Sequence, residues 1–394
     1  MAFGSNARMP SKLSGVAWLF FAALASYTLC TLDGGDVAPH LISAILFLLT
    51  AFYLISSLDG PLALNTPVVC LLVMPCCGTA QTLWFPQKIV YSGWNGVLFW
   101  FTAASITFLA TQVFRDGDKT MAFRRLFVIF CSAVSVLDLL EQASHTDKYY
   151  WLIQSHYASV SGPFAYWNNF AQFVELCLPI TLWLAVGGHK PAVPYLVLAG
   201  LQIAAVIASG SRAGSALIIA EVFAVVLLAY LRNRRRILLY ATVATLVVTA
   251  LFVYAAGADT LSLKLQQRDQ LAVRREINKS SLAMIRERPF MGWGLGSYVP
   301  VYRMFARYDD GSYVNRAHND WLEWTAEGGI LFSGLMLIVF TWSIKPAIRS
   351  VWGLGVVAIA LHALVDYPFA RFGVCGWYFA LIGMLAACDH KKRA

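Results

Sequence analysis

Arginine and histidine dominate one stretch of an otherwise apolar chain. Between about residues 258 and 320 the sequence turns polar and carries Arg268, Arg274, Arg275, Arg286 and Arg288. It closes on Arg316-Ala317-His318-Asn319-Asp320-Trp321, where a new apolar run begins. A guanidinium stays charged at any relevant pH and can offer a phosphate two parallel N–H donors. Imidazole is the side chain whose ordinary titration suits proton transfer near neutrality. Two or three Arg and one His at a membrane surface therefore suit an anionic, pyrophosphate-bearing, lipid-borne substrate. Ser209-Gly210-Ser211-Arg212-Ala213-Gly214 adds one more Arg, at a turn between apolar segments. Plainer uses exist for each. Arg212 can snorkel to the interface, the loop arginines can pair with Asp269, Glu276 and Glu287, and His318 can cap a helix. Gly292-Trp293-Gly294-Leu295-Gly296 follows no βα unit, so a nucleotide loop is not indicated. Those glycines instead let the chain turn tightly beneath a substrate cavity.

The elements that must position these residues are membrane helices. The chain has 394 residues, is 59% hydrophobic and only 13% charged, with mean hydropathy +0.62. Soluble domains run nearer about a quarter charged. Apolar stretches of about 20 residues recur along most of the length, and the short alternating segments of a transmembrane β-barrel are absent. The expected fold is an all-α polytopic membrane protein with about twelve spans. They fall near 13–32, 37–57, 62–84, 93–114, 122–140, 163–187, 192–209, 213–231, 236–257, 321–344, 350–369 and 373–389. Four regions follow: N-terminal helices over 1–157, central helices over 158–257, the polar loop over 258–320, and C-terminal helices over 321–394. The run from Gly15 to Leu32 reads as a retained first span.

Lys and Arg in the short loops set the orientation. One alternate set holds Arg115, Lys119, Arg124, Arg125, Lys190, Arg232, Arg234, Arg235, Arg236, Lys345 and Arg349, with the tails adding Arg8, Lys12, Lys391, Lys392 and Arg393. The opposite short loops hold only Lys88, Lys148, Arg212 and Arg371. Both termini are therefore expected in the cytoplasm and the long polar loop outside. Arg234-Arg235-Arg236 reads as topology and contact with anionic membrane lipids, and nothing indicates nucleic-acid binding. The eight Cys include no C-x-x-C pair, so neither a disulfide framework nor a zinc site is indicated.

Within the loop, Ser280 to Arg288 reads as a short amphipathic helix ended by Pro289. Leu282, Met284 and Ile285 would face the bilayer. Glu175, Glu221 and Asp366 fall inside apolar runs, where ionisable groups are costly and are kept for function or for interhelical pairing. Asp320 and Glu323 flank His318 and could set its tautomer. A secondary transporter would show paired broken helices, and none is visible. A metal hydrolase built on His145, His156 and His318 lacks any known ligand spacing.

These residues carry a family likeness. Arg316 to Ile330, RAHNDWLEWTAEGGI, resembles the signature of the O-antigen ligase and polymerase superfamily. Met284 to Gly296, MIRERPFMGWGLG, is similar to the upstream run of the same superfamily, with Arg274 eleven residues before its Ile. Asn278 stands where a Trp is often seen, which leaves Arg275 as the alternative to Arg274. Ser161-Gly162-Pro163-Phe164 with Asn168-Asn169-Phe170-Ala171, the Ser209–Gly214 turn, and His362 to Pro368, HALVDYP, resemble its other motifs. The likeness covers about residues 158 to 370.

The resemblance implies a GT-C-type membrane glycosyltransferase of the bacterial inner membrane, with one large periplasmic loop. Such an enzyme takes a glycan from undecaprenyl pyrophosphate and passes it to lipid A-core, a polysaccharide or a protein hydroxyl; an O-antigen ligase of lipopolysaccharide assembly is the leading expectation here, with a polymerase of the same superfamily as the alternative. No metal or other cofactor is implied. By the same resemblance His318, Arg212 and Arg274 would be catalytic. Arg275, Arg286, Asn319, Asn169 and Asp366 would hold substrate.

Overall fold

A computed structural model describes residues 14–30, 37–57, 61–84, 90–156, 160–187, 192–232, 270–306 and 314–390. The expected span 236–257, the cluster Arg234-Arg235-Arg236, Arg268 and both tails lie outside the described residues. The apolar runs form helices because a helix satisfies its own backbone N–H and C=O groups where water is absent. In chain order these are α1 (Gly15–Leu29), α2 (Val37–Ser56), α3 (Thr66–Trp84), α4 (Val90–Val113), α5 (Gly117–Ala143), α6 (Trp167–Val186), α7 (Val193–Ser209) and α8 (Arg212–Leu231). There follow α9 (Gln270–Glu287), α10 (Tyr298–Phe305), α11 (Asp320–Ser350), α12 (Leu354–His362) and α13 (Phe372–His390). Among the described residues the exception to an all-α fold is a small antiparallel ribbon after α5, β1 (Lys148–Tyr149) with β2 (Ile153–Gln154). Among the described residues eight helices, α2 to α6, α8, α11 and α13, are long and apolar enough to cross a membrane, and α1 and α7 are shorter apolar helices.

The centre of the bundle is α6 and α13, whose apolar windows are 89% and 83% buried. Small residues let the central backbones approach. A Cβ on Gly383 of α13 would lie 2.4 Å from the Thr107 carbonyl of α4, and one on Gly355 of α12 would lie 2.5 Å from the Glu175 carbonyl of α6. Trp377 of α13 stacks on Phe127 of α5 at 4.1 Å and 5°. At the periphery, Leu41, Ile45, Leu48 and Phe52 of α2 form an exposed apolar stripe, the face such a helix turns to lipid.

Two expectations change. The segment 350–369 is not a continuous span: its helix, α12, has nine residues, about 14 Å of rise. The remainder, including Asp366, is non-helical apart from a 3-10 turn at Pro368–Ala370. Such backbone is tolerated within the bundle because protein groups bond to it. The loop helix is also longer than Ser280–Arg288, running over Gln270–Glu287. Ile277 and Met284 on one stripe bury against Tyr298, Val301 and Tyr302 of α10. Met284 therefore packs on protein, not bilayer, while Leu282 stays exposed.

Candidate active site at one end of the bundle

Four of the residues singled out by sequence, Arg274, His318, Asn319 and Asp366, meet around the non-helical segment 363–367. Its backbone carbonyls are unsatisfied by any helix, and each receives a side chain or backbone donor. Asp320 N donates to the Ala363 and Asp366 carbonyls at 2.9 and 3.3 Å. Asn319 Nδ2 donates to Leu364 O at 2.8 Å, and Arg274 Nη1 donates to Val365 O at 2.6 Å. The segment is anchored beneath by its own turn, with Val365 N and Asp366 N donating to His362 O, each at 3.0 Å. Two stretches far apart in the chain, Arg274 and Asn319-Asp320, are thus fixed to this one segment.

Asp366 is the charge at the centre, fully buried. Asn168 Nδ2 donates to its Oδ2, Tyr367 N donates to Oδ1 at 3.0 Å, and Arg274 Nη2 lies 3.7 Å from Oδ2. Burial alone would raise its pKa. The opposing influence of His318, Arg274 and His362 outweighs burial and holds the carboxyl below its ordinary value. Arg274 Nη2 also donates to Tyr166 Oη at 3.0 Å. Burial, and next the Asp366 charge, push the Tyr166 hydroxyl up, so it stays protonated.

His318 lies just before α11, with φ +51°. A left-handed backbone is uncommon for a residue with a Cβ and gathers at functional sites. Asn319 caps α11 by accepting from Leu322 N at 3.1 Å, so its amide is engaged at both ends. The His318 ring rests edge-on against Tyr367 at 4.9 Å, with Nδ1 3.7 Å from Asp366 Oδ1. That is too long for a hydrogen bond, so the carboxylate faces the ring without bonding to it. Asp320 and Glu323 do not touch the imidazole. Asp320 Oδ2 accepts from Phe369 N at 2.9 Å, and Glu323 accepts from Arg316 Nη1 at 2.8 Å and Ala317 N at 2.9 Å. They shape the backbone on either side of His318, and Asp366 is the carboxylate facing the ring.

Of the two adjacent loop arginines, Arg274 points into the cluster and Arg275 is exposed on the other face of α9. Arg286 is exposed near the end of the same helix. Arg212 is exposed at the start of α8. Gly210 there ends α7 at φ +81°, and Ser211 Oγ accepts from Gly214 N at 3.1 Å. A Cβ on Gly214 would lie 2.5 Å from Ala171 Cβ, so this turn presses on α6 three residues from Asn168. Asn169 is buried and donates to Gln172 at 2.8 Å; its neighbour Asn168 is the one that meets Asp366. Asn168, Tyr166 and Tyr367 are the site residues sequence reasoning passed over. The side-by-side Asn pair was the available signal, and only the helix phase separates its members.

The glycine run has a definite task. Helix α11 breaks at Gly329, at φ +69° and ψ −173°, which frees carbonyls one turn earlier. Trp293 N and Gly294 N donate to Ala326 O and Glu327 O at 2.9 and 2.8 Å, and Ile330 N donates to Pro289 O at 2.8 Å. Side chains would not fit: a Cβ on Gly292 would lie 2.3 Å from Glu327 O, and one on Gly329 2.1 Å from Phe290 O. Deeper in the bundle, Glu175 accepts from His362 Nδ1 at 2.9 Å, which pins the end of α12 to α6. Glu221 is buried with neither carboxyl oxygen hydrogen-bonded to a described residue.

These elements define a polytopic α-helical membrane protein whose Arg, His and Asp cluster lies at one end of the bundle. Residues 196–339 match the family model of O-antigen ligase, the superfamily the sequence motifs resembled. The match takes in Arg212, Arg274 and His318 and stops before Asp366. No curated protein and no solved structure matches the chain.

Proposed function

We propose that the protein transfers a glycan from an undecaprenyl-pyrophosphate carrier to an acceptor hydroxyl, at the periplasmic face of a bacterial inner membrane. The observation that carries this reading is the convergence of Arg274, His318 and buried Asp366 on one segment, in a chain matched over 196–339 by the O-antigen ligase family. Arg274, with Arg212 reaching from the neighbouring turn, grips the pyrophosphate and stabilises the charge that grows on it. The acceptor oxygen attacks the anomeric carbon from the opposite side. Its proton passes to the free ring nitrogen of His318, and the carbon–oxygen bond to pyrophosphate breaks with its electron pair leaving on phosphate. Asp366 then faces the imidazolium. The anomeric centre inverts. A pyrophosphate leaving group is stable as an anion, so the second carboxyl of a glycosidase is not required.

Reconstitution with an undecaprenyl-pyrophosphate glycan, with and without lipid A-core, tests this. Transfer to the core assigns a ligase. Lengthening of the carrier-linked glycan without the core assigns a polymerase of the same superfamily. No turnover of any carrier-linked glycan overturns the proposal.

A further inference from the structure

We infer that the acceptor saccharide binds in a separate cavity on the far side of the His318 segment; this rests on the glycosyl-transfer reading above. The cavity measures about 360 Å³, within the size range of small-molecule sites. It opens between the ends of α1, α4, α11 and α13. Arg316 and Asp320, on either side of His318, line it, whereas His318 itself, Arg274, Tyr166 and Asp366 do not. With the pyrophosphate held on the Arg274 side, the group entering from the other flank of His318 is the nucleophile.

The lining selects the ligand chemistry. Ser92, Asn95 and Phe99 share one face of the first turns of α4 by their spacing and all border the cavity. Phe99 stacks on Phe372 at 4.3 Å, and Phe372 on Tyr27 at 4.8 Å, giving an apolar aromatic wall. The facing carboxylates of Asp320, Glu323 and Glu327 already accept backbone N–H groups. The Ser92 and Asn95 side chains make no hydrogen bond to a described residue and stay available. Arg316 is paired with Glu323 at 2.8 Å, and Arg371 and His40 also border the cavity. A ligand with many hydroxyls and one apolar face fits this lining, which describes a sugar. The glycine turn shapes the back. A Cβ on Gly96 would lie 2.8 Å from Leu295 Cβ, and one on Gly296 2.1 Å from Ser92 O, so α4 and the turn are pressed together behind the site.

The test uses the full chain in nanodiscs, with deacylated core oligosaccharide as the binding probe and undecaprenyl-pyrophosphate glycan with lipid A-core for turnover. Asn95→Trp fills the cavity, and Phe99→Leu removes an aromatic face at little cost in volume. Both are expected to raise the acceptor KM at least about tenfold while the donor KM stays within about twofold. Calorimetric binding of the core oligosaccharide should weaken in parallel. An unchanged acceptor KM with unchanged binding, or a rise in the donor KM alone, overturns the assignment. Oligosaccharide binding that Asn95→Trp abolishes, in a protein with no transferase turnover, would sink the transfer reaction and leave the saccharide site standing. Turnover in the wild type with binding indifferent to Asn95→Trp would do the reverse.

Discussion

At the scale of single residues, the proposed transfer rests on three groups: a guanidinium, an imidazole and a buried carboxylate. Replacing His318 with Ala should lower turnover by about 10²- to 10⁴-fold, the usual worth of a positioned base, with membrane expression retained. Near-normal turnover would remove His318 from the mechanism. Arg274→Lys keeps the charge but not the fork that reaches Val365 O and Tyr166 Oη together, and turnover should fall at least about tenfold. Asn168→Ala withdraws a donor from a buried charge; kcat should fall while the donor KM changes less. The types of these residues were legible in the sequence because charged side chains stand out in an apolar chain. Their phase was not. Arg274 and Arg275, like Asn168 and Asn169, differ only in which side of a helix they occupy, and that depends on what the helix packs against.

At the scale of elements, the site rests on two irregularities, the break in α11 and the short α12. Gly329→Ala and Gly292→Ala place a Cβ within about van der Waals overlap of backbone oxygens in a left-handed conformation, so each should cost about 1–3 kcal/mol or more. Thermal unfolding of the detergent-solubilised protein reads this, and an unchanged midpoint would show that the break is not required. The Glu175–His362 pair is buried on both sides. His362→Leu leaves an uncompensated carboxyl and should destabilise by about 3–5 kcal/mol, whereas Glu175→Leu with His362→Leu should recover most of it. Spans were readable from length and hydropathy for most helices. The segment 350–369 was not, because its apolar composition is the same whether the backbone is helical or bonded to a neighbour. The depth of that break is where Asp366 finds its partners.

At the scale of the whole molecule, the ends of alternating helices sort the chain into two faces. His318, the glycine turn and the start of α11 share one; Lys345 and Arg349 lie toward the other end of α11. In a Cys30→Ser background, a cysteine placed at Glu276 should react with a membrane-impermeant maleimide in spheroplasts, and one placed at Arg349 only after lysis. The opposite pattern would invert the orientation read from the Lys and Arg distribution. The bonds between the glycine turn and the broken helix carry a consequence for recombination. Residues 289–297 and 326–330 exchange backbone donors and acceptors, so neither stretch is a self-sufficient module. Chimeras between relatives that cross over between them would join a turn cut for one kink to a kink of another shape. Those that inherit both from one parent, however distant their other helices, are the ones expected to mature into the membrane.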